Sequence, residues 1–104
     1  MARILKKDAQ KMLGNVPEEN VFRCCDGHAM VNMSELNDAL GNISDETFAF
    51  HANQAKNDFS NWVRDIIKDE KLARDLSKAT DRLQAAKSVA ARLSFLQKRL
   101  AQPV

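Results

Sequence analysis

Apolar residues recur at helical spacing along most of the chain. Near the start they lie three or four positions apart, as on one face of an α-helix: Ile4, Leu5, Ala9, Met12 and Leu13. We therefore expect a short amphipathic helix over about residues 2–13, with Gly14 as its left-handed C-terminal cap. The clearest stripe comprises Phe59, Trp62, Val63, Ile66 and Ile67. It predicts the core helix of the fold, with the Trp62 side chain buried.

Residues 21–32 carry a different pattern, which is typical of a β-hairpin. Asp26-Gly27 is a favoured two-residue turn, because both positions tolerate positive φ. With this pair at the tip, Cys25 lies opposite His28. The alternation then places four apolar side chains on one face: Phe22, Cys24, Ala29 and Val31. A lone hairpin is marginal in water, so we expect it to pack on helices.

Capping residues mark the start of each remaining helix. They are Asn32 (with Glu35 completing a capping box), Ser44, Asn57, Asp69 and Thr80 or Asp81. Gly41 is expected to end the helix that Asn32 begins. The last helix is expected to bury a seam formed by Leu83, Ala86, Ala90, Leu93, Leu96 and Leu100.

These elements predict a mainly α fold, a compact bundle of about six helices with one short β-hairpin. We expect a single domain over residues 1–104. It would consist of an amino-terminal basic helix (1–14), a core (15–78) and a long carboxy-terminal basic helix (79–102).

Composition narrows the class of protein. The 104 residues are 44% hydrophobic and 29% charged, which argues against a disordered chain. The amino terminus lacks the apolar core of a signal peptide, and no apolar run approaches the ~20 residues that span a bilayer. Cys24 and Cys25 are adjacent, whereas a disulfide framework needs spaced cysteines. We therefore expect a cytoplasmic protein with reduced thiols and no membrane partner.

Charge is segregated along the chain. Residues 1–14 carry a net charge of +3, residues 15–70 carry −7 and residues 71–104 carry +6. Either the basic ends neutralise the acidic middle, within the chain or across a dimer, or they bind the phosphates of a nucleic acid. The candidate nucleic-acid contacts are Lys6, Lys7, Lys87, Arg92, Lys98 and Arg99. Neutralisation is the favoured reading, since acidic residues are available nearby.

Several segments are similar to a known family. They are residues 17–22 (PEENVF), 33–36 (MSEL) and 44–48 (SDETF), and most specifically His51 followed by residues 56–65 (KNDFSNWVRD). Over about Pro17 to Leu76 the chain resembles an uncharacterised family of small archaeal and bacterial helical domains. The resemblance implies a fold unit and no particular reaction.

The sequence offers few groups that could perform chemistry. Cys25 and His28 are weak candidates for metal ligands, because structural zinc needs four ligands and only His51 remains as a distant third. The same thiol and imidazole lack a third group that would orient them for catalysis. The three glycines are isolated, so there is no phosphate-binding loop. We expect no metal, no cofactor and no enzymatic activity.

One polar group stands beside the aromatic stripe: His51, Asn57, Asp58 and Trp62. It is interpreted as a buried hydrogen-bond network, with a small-ligand pocket as the alternative. For the whole chain, the expected function is a non-enzymatic protein-interaction or self-association module that uses Phe50 and the seam of the last helix. The alternative is a nucleic-acid-associated protein that uses the basic termini.

Overall fold

Helices form most of the chain in this computed structural model, which describes residues 4–101. In chain order the elements are α1 (Lys6–Leu13), β1 (Phe22–Arg23), β2 (Ala29–Met30), α2 (Met33–Asn42), α3 (Asp45–His51), α4 (Asp58–Trp62), α5 (Glu70–Lys78) and α6 (Arg82–Ala101). The prediction of a mainly α fold with one short β-hairpin is confirmed. Among the described helices, none combines the length and apolar character needed to span a bilayer.

Side-chain caps begin five of the helices, as the sequence predicts. The cap oxygens of Asn32, Ser44, Asn57, Asp69 and Asp81 each accept the backbone N–H three residues later, at 2.8–3.1 Å. Glu35 also reaches back and accepts the N–H of Val31 at 2.9 Å. Each cap satisfies a backbone donor that the helix itself leaves unpaired.

The start of the chain and the end of α2 differ from expectation. Helix α1 begins at Lys6, and residues 1–3 of the predicted helix lie outside the described residues. Gly14 follows α1 in an extended conformation, with φ of −76°, and not in the left-handed one. Gly41 does not end α2, because the helix continues through it to Asn42.

The hairpin exists, but its predicted register is wrong by one residue. Phe22 pairs with Met30 and Arg23 with Ala29, so Cys24 lies opposite His28 and donates its N–H to the His28 carbonyl at 2.8 Å. The turn has three residues, and the third, Gly27, adopts a φ of 99° that favours glycine. A slip of one residue exchanges the two faces of a strand. Met30 is therefore buried, and Ala29 is exposed.

The core helix changes its winding halfway along. Helix α4 passes at Val63 into a π-helical turn, Val63–Ile67, which ends at Lys68. Lys68 has a φ of 70° and is the one residue other than glycine with positive φ in the range 4–101. Trp62 is buried as predicted, and its indole N–H donates to the Asn20 carbonyl at 2.7 Å.

An aromatic cluster forms the centre of the core. The Phe22 and Phe59 rings are stacked with centroids 5.1 Å apart, and Phe48 and Phe59 are stacked at 5.5 Å. Phe22 also meets Trp62 edge-on at 5.8 Å. The hairpin is therefore anchored to α3 and α4 through Phe22.

Helix α6 presents a different face to the core from the one predicted. Leu93 and Leu96 are buried as expected, but Leu83 is 64% exposed. The other buried positions are Ala85, Val89 and Arg92. At about 100° per residue, the helix is rotated by roughly 100° relative to the predicted seam at its amino-terminal end. The hydrophobic pattern was misleading because it gave no weight to Arg92, which is buried.

Candidate functional site

An open groove runs between α2 and α6. Its α2 wall consists of Asn37, Asp38, Gly41 and Asn42, and its α6 wall consists of Leu83, Ala86, Lys87 and Ala90. We call these eight residues the α2–α6 groove. Leu83 is the most exposed large apolar side chain in the described part of the chain. The groove thus combines one projecting leucine on α6 with an α2 wall that has no side chain at Gly41 and polar side chains at its other three positions.

Gly41 keeps this groove open without being required by the fold. It lies inside α2 at an exposed position, and a Cβ placed there would meet nothing within 4 Å. Glycine in a helix interior costs about 1 kcal/mol relative to alanine. Sequence reasoning took Gly41 for a helix end. An isolated glycine within a helical pattern was the available signal.

The two walls of the groove carry opposite charges. Asp38 lies on the α2 wall and Lys87 on the α6 wall. Within residues 4–101 neither forms an ion pair. The groove therefore carries one unpaired anion on its α2 wall and one unpaired cation on its α6 wall.

Arg92 does not belong to a basic surface. Its guanidinium donates to both carboxylate oxygens of Asp69, at 2.7 and 3.0 Å, and the two residues are 8% and 0% exposed. A cation held in this way is not available to a phosphate. The expected neutralisation by acidic residues therefore occurs here within the chain. Its acidic partner, Asp69, comes from the acidic middle of the chain.

The other candidate basic contacts fall into two places. Arg99 donates from Nε to the Ile4 carbonyl at 2.6 Å, which joins the end of α6 to the start of α1. Lys6, Lys7 and Lys98 are exposed at this joined end. Lys87 lies in the α2–α6 groove, roughly 16 Å along the helix axis from Lys98.

His51 is buried, and it lies in a part-buried polar cluster with both ring nitrogens bonded. Nε2 accepts the backbone N–H of Cys25 at 3.1 Å, and Nδ1 lies 3.0 Å from Oδ2 of Asp58. A nitrogen that accepts an N–H carries no proton. The imidazole is therefore neutral, with its proton on Nδ1 donated to Asp58. Three phenylalanine rings, Phe22, Phe50 and Phe59, surround it edge-on.

The structure brings together two of the four polar residues grouped from the sequence. His51 and Asp58 are bonded, and Lys56 donates to the same Asp58 oxygen at 3.0 Å. Asn57 instead donates to the Leu76 carbonyl at 3.1 Å and caps α4. Trp62 bonds to Asn20 and takes no part. The backbone N–H of Cys25, which no side-chain pattern reveals, completes the cluster.

Two titratable groups in this region, Asp58 and Cys24, have pKa values that are shifted by their surroundings. Burial by itself would raise the pKa of Asp58, but the hydrogen bonds from His51 and Lys56 outweigh it and hold that pKa below 3.8. Burial raises the pKa of the Cys24 thiol to about 11, with the Asp26 charge adding to the effect. The Cys24 thiol is therefore protonated and unreactive at neutral pH.

Cys25 and His28 do not form the facing pair that the sequence suggested. Cys24 is buried and Cys25 is exposed, as predicted, and both are free thiols. His28 contacts Asp26 within the turn, at 2.9 Å from Nδ1 to Oδ2. In the part of the chain described, no three histidine, cysteine or acidic residues are arranged to hold a metal ion.

Comparison of the chain with protein-family models, curated proteins and solved structures finds no match. The resemblance over Pro17 to Leu76 therefore stays a prediction.

Proposed function

We propose that this chain is a non-enzymatic self-association module, in which the α2–α6 groove of one copy packs against the same groove of a second copy. The observation that carries the proposal is Leu83, which is 64% exposed beside the open space at Gly41. Leu83 lies with Ala86 and Ala90 on one wall of the groove, beside polar side chains, and an apolar patch with a polar rim is typical of a surface that another chain covers. The free thiols of Cys24 and Cys25 are consistent with a cytoplasmic setting.

A second copy is the occupant because the groove is complementary to itself. A two-fold axis places the same patch on both sides of an interface. Leu83 of each copy then packs over Gly41 on the α2 wall of the other. The same axis pairs Asp38 of each copy with Lys87 of the other, so the two unpaired charges are matched.

The test is a charged substitution in the groove. Leu83→Glu should weaken dimerisation at least tenfold, because it places an unpaired carboxylate in an apolar contact. The matched control is Phe50→Glu, since Phe50 is 55% exposed but lies on α3, outside the groove. Sedimentation equilibrium over a concentration series measures both, and circular dichroism checks that both variants fold.

Three results would contradict the proposal. The first is a wild-type chain that stays monomeric at millimolar concentration. The second is a dimer that Phe50→Glu abolishes and Leu83→Glu does not, which would move the interface to α3. The third is a failed charge rescue. Asp38→Lys should weaken the dimer, and the double variant Asp38→Lys/Lys87→Asp should restore it. Failure of that rescue would rule out the two-fold pairing.

Nucleic-acid binding is the second candidate function, and the bond from Arg99 to Ile4 favours it because this bond joins the two basic termini. Lys6, Lys7 and Lys98 would then contact phosphates, without Arg92 and without Lys87. Lys6→Glu combined with Lys98→Glu should weaken binding to all sequences alike, since phosphate contacts carry no base information. Fluorescence anisotropy with a labelled duplex at low salt is the measurement. No binding by the wild-type chain would exclude this candidate.

A further inference from the structure

We propose that His51 is an acid-operated latch, which holds the hairpin turn in its neutral form and releases it when protonated. The latch is separate from the α2–α6 groove and does not depend on self-association. It follows from the position of one imidazole between two elements, the turn at residues 25–27 and the α3–α4 connection.

The turn has few other attachments. Residues 25–29 are all exposed, and each strand of the hairpin is two residues long. Within residues 4–101, the bond from the Cys25 N–H to Nε2 of His51 is the one hydrogen bond between residues 25–28 and any residue outside the hairpin. The hairpin is otherwise fixed by the packing of Phe22, Cys24 and Met30, which all lie outside the turn. Loss of this hydrogen bond therefore leaves the turn attached to the rest of the fold through its two flanking strands alone, among the described residues.

Protonation removes this bond for a simple chemical reason. An imidazolium carries a proton on both nitrogens and has no acceptor. Nε2–H would then face the N–H of Cys25, so that two donors meet without an acceptor. The turn must move away before water can solvate both groups.

On the Nδ1 side of the His51 ring, a carboxylate can stabilise the imidazolium. Nδ1 already donates to Asp58, whose carboxylate becomes the counter-ion of the imidazolium. The charged side chain of Lys56 shares that oxygen and opposes the new charge. Since the bond to Asp58 survives protonation and the bond to Cys25 does not, we expect the hairpin turn to be released and the link between α3 and α4 to hold.

Any test must distinguish the effect of His51 from that of the titratable groups on the hairpin. The turn carries Asp26 and His28 as a pair, and the thiols of Cys24 and Cys25. The backbone and side-chain hydrogen bonds from His28 lower the pKa of the Asp26 carboxyl, and burial raises the pKa of the Cys24 thiol to about 11, so neither group changes charge between pH 5 and 8. His28 is the one other histidine of the chain. His28→Gln therefore leaves His51 as the single imidazole.

The experiment follows the Cys25 amide in the His28→Gln protein between pH 8 and 5. NMR measures two quantities: the protonation of the His51 ring, and the hydrogen-exchange protection factor of the Cys25 amide corrected for the intrinsic effect of pH. We expect protection at Cys25 to fall about tenfold with the same midpoint as the ring titration. The amides of Leu93 and Leu96 in α6 should keep their protection.

A second variant replaces His51 by a residue that can accept the same hydrogen bond but does not titrate. In His28→Gln/His51→Gln the amide oxygen can accept the Cys25 N–H in place of Nε2, and it does not titrate. Protection at Cys25 should then be independent of pH over the same range. If this variant does not fold, the coincidence of the two midpoints in the His28→Gln protein decides the matter alone.

The alternative outcomes overturn the latch. Constant protection at Cys25 while the His51 ring titrates would show that protonation leaves the turn in place. Simultaneous loss of protection at Leu93 and Leu96 would show global unfolding, which makes His51 a structural residue only. A pH-dependent Cys25 amide in the folded double variant would assign the effect to another group.

Discussion

Asp58 is the acceptor for two side chains, since His51 and Lys56 both bond to its Oδ2. These contacts hold the pKa of the folded carboxyl below 3.8, so the unfolded chain takes up a proton more readily than the folded one. The stabilisation is therefore fully present above about pH 4 and is lost as the pH falls through the lowered pKa of the folded state.

Asp58→Asn tests this linkage. The amide oxygen still accepts from His51, but the charge and its titration are absent. The free energy of unfolding should drop by about 0.5–1 kcal/mol at pH 7, and the difference from wild type should shrink towards pH 2.5. Urea unfolding at a series of pH values measures it. A difference that stays constant down to pH 2.5 would contradict the assigned role of the charge.

The helix caps show which roles of single residues can be predicted from the sequence. Asn32, Ser44, Asn57 and Asp69 were assigned correctly because a cap bonds a donor three residues away, and the whole interaction lies within one short segment. The second bond of Asp69, to Arg92, joins positions 23 residues apart. Nothing local indicates such a contact, and Arg92 was therefore assigned to the surface.

A substitution of Gly41 in α2 should have opposite effects on the stability of the monomer and on dimerisation. Gly41→Ala should stabilise the monomer by up to about 1 kcal/mol, because alanine favours the helix and its methyl meets nothing within 4 Å. The same methyl should weaken dimerisation by narrowing the wall that receives Leu83. Thermal unfolding at low concentration and sedimentation at high concentration report the two effects. A variant that is more stable and dimerises as well as wild type would separate Gly41 from the interface.

Helices α5 and α6 are joined by the buried pair of Asp69 and Arg92. Arg92→Met leaves a charged carboxylate that is 0% exposed without its partner, and should cost about 3–5 kcal/mol. Adding Asp69→Asn removes the stranded charge while keeping an oxygen for the Leu72 N–H. The double variant should therefore be more stable than Arg92→Met alone. Equal or lower stability of the double variant in chemical denaturation would contradict this account.

The hairpin and α6 show why elements were predicted better than their orientation. Alternation and Asp26-Gly27 indicated a hairpin, but two-residue and three-residue turns are both compatible with these letters. Only the packing of Met30 in the core distinguishes the registers. In α6, helical spacing indicated the helix, while the face it buries depends on Asp69 of another element. The α2–α6 groove was missed for the same reason, since its walls come from two separate segments.

Across the complete fold, the charges separate the two candidate functions by their response to salt. Contacts from Lys6, Lys7 and Lys98 to duplex DNA would give a log–log slope of about −2.7 against salt concentration, from about −0.9 per phosphate. Self-association buries apolar surface at Leu83 and adds only two Asp38–Lys87 pairs, so it should weaken far less steeply between 50 and 300 mM salt. Anisotropy and sedimentation on one preparation compare the two directly. A dimer that dissociates steeply with salt would contradict an apolar interface.

The contact between Ile4 and Arg99 has a consequence for the order in which the chain folds. It joins two positions that are 95 residues apart in the sequence. Helix α1 contributes little stabilisation, because Ala9 is its one fully buried residue and no side chain caps its start. An eight-residue helix is marginal alone in water, so we expect α1 to acquire structure only after α6 offers a surface. It should then be the last element to form and the first to detach. Substitutions in α1 will accelerate unfolding and leave the folding rate nearly unchanged.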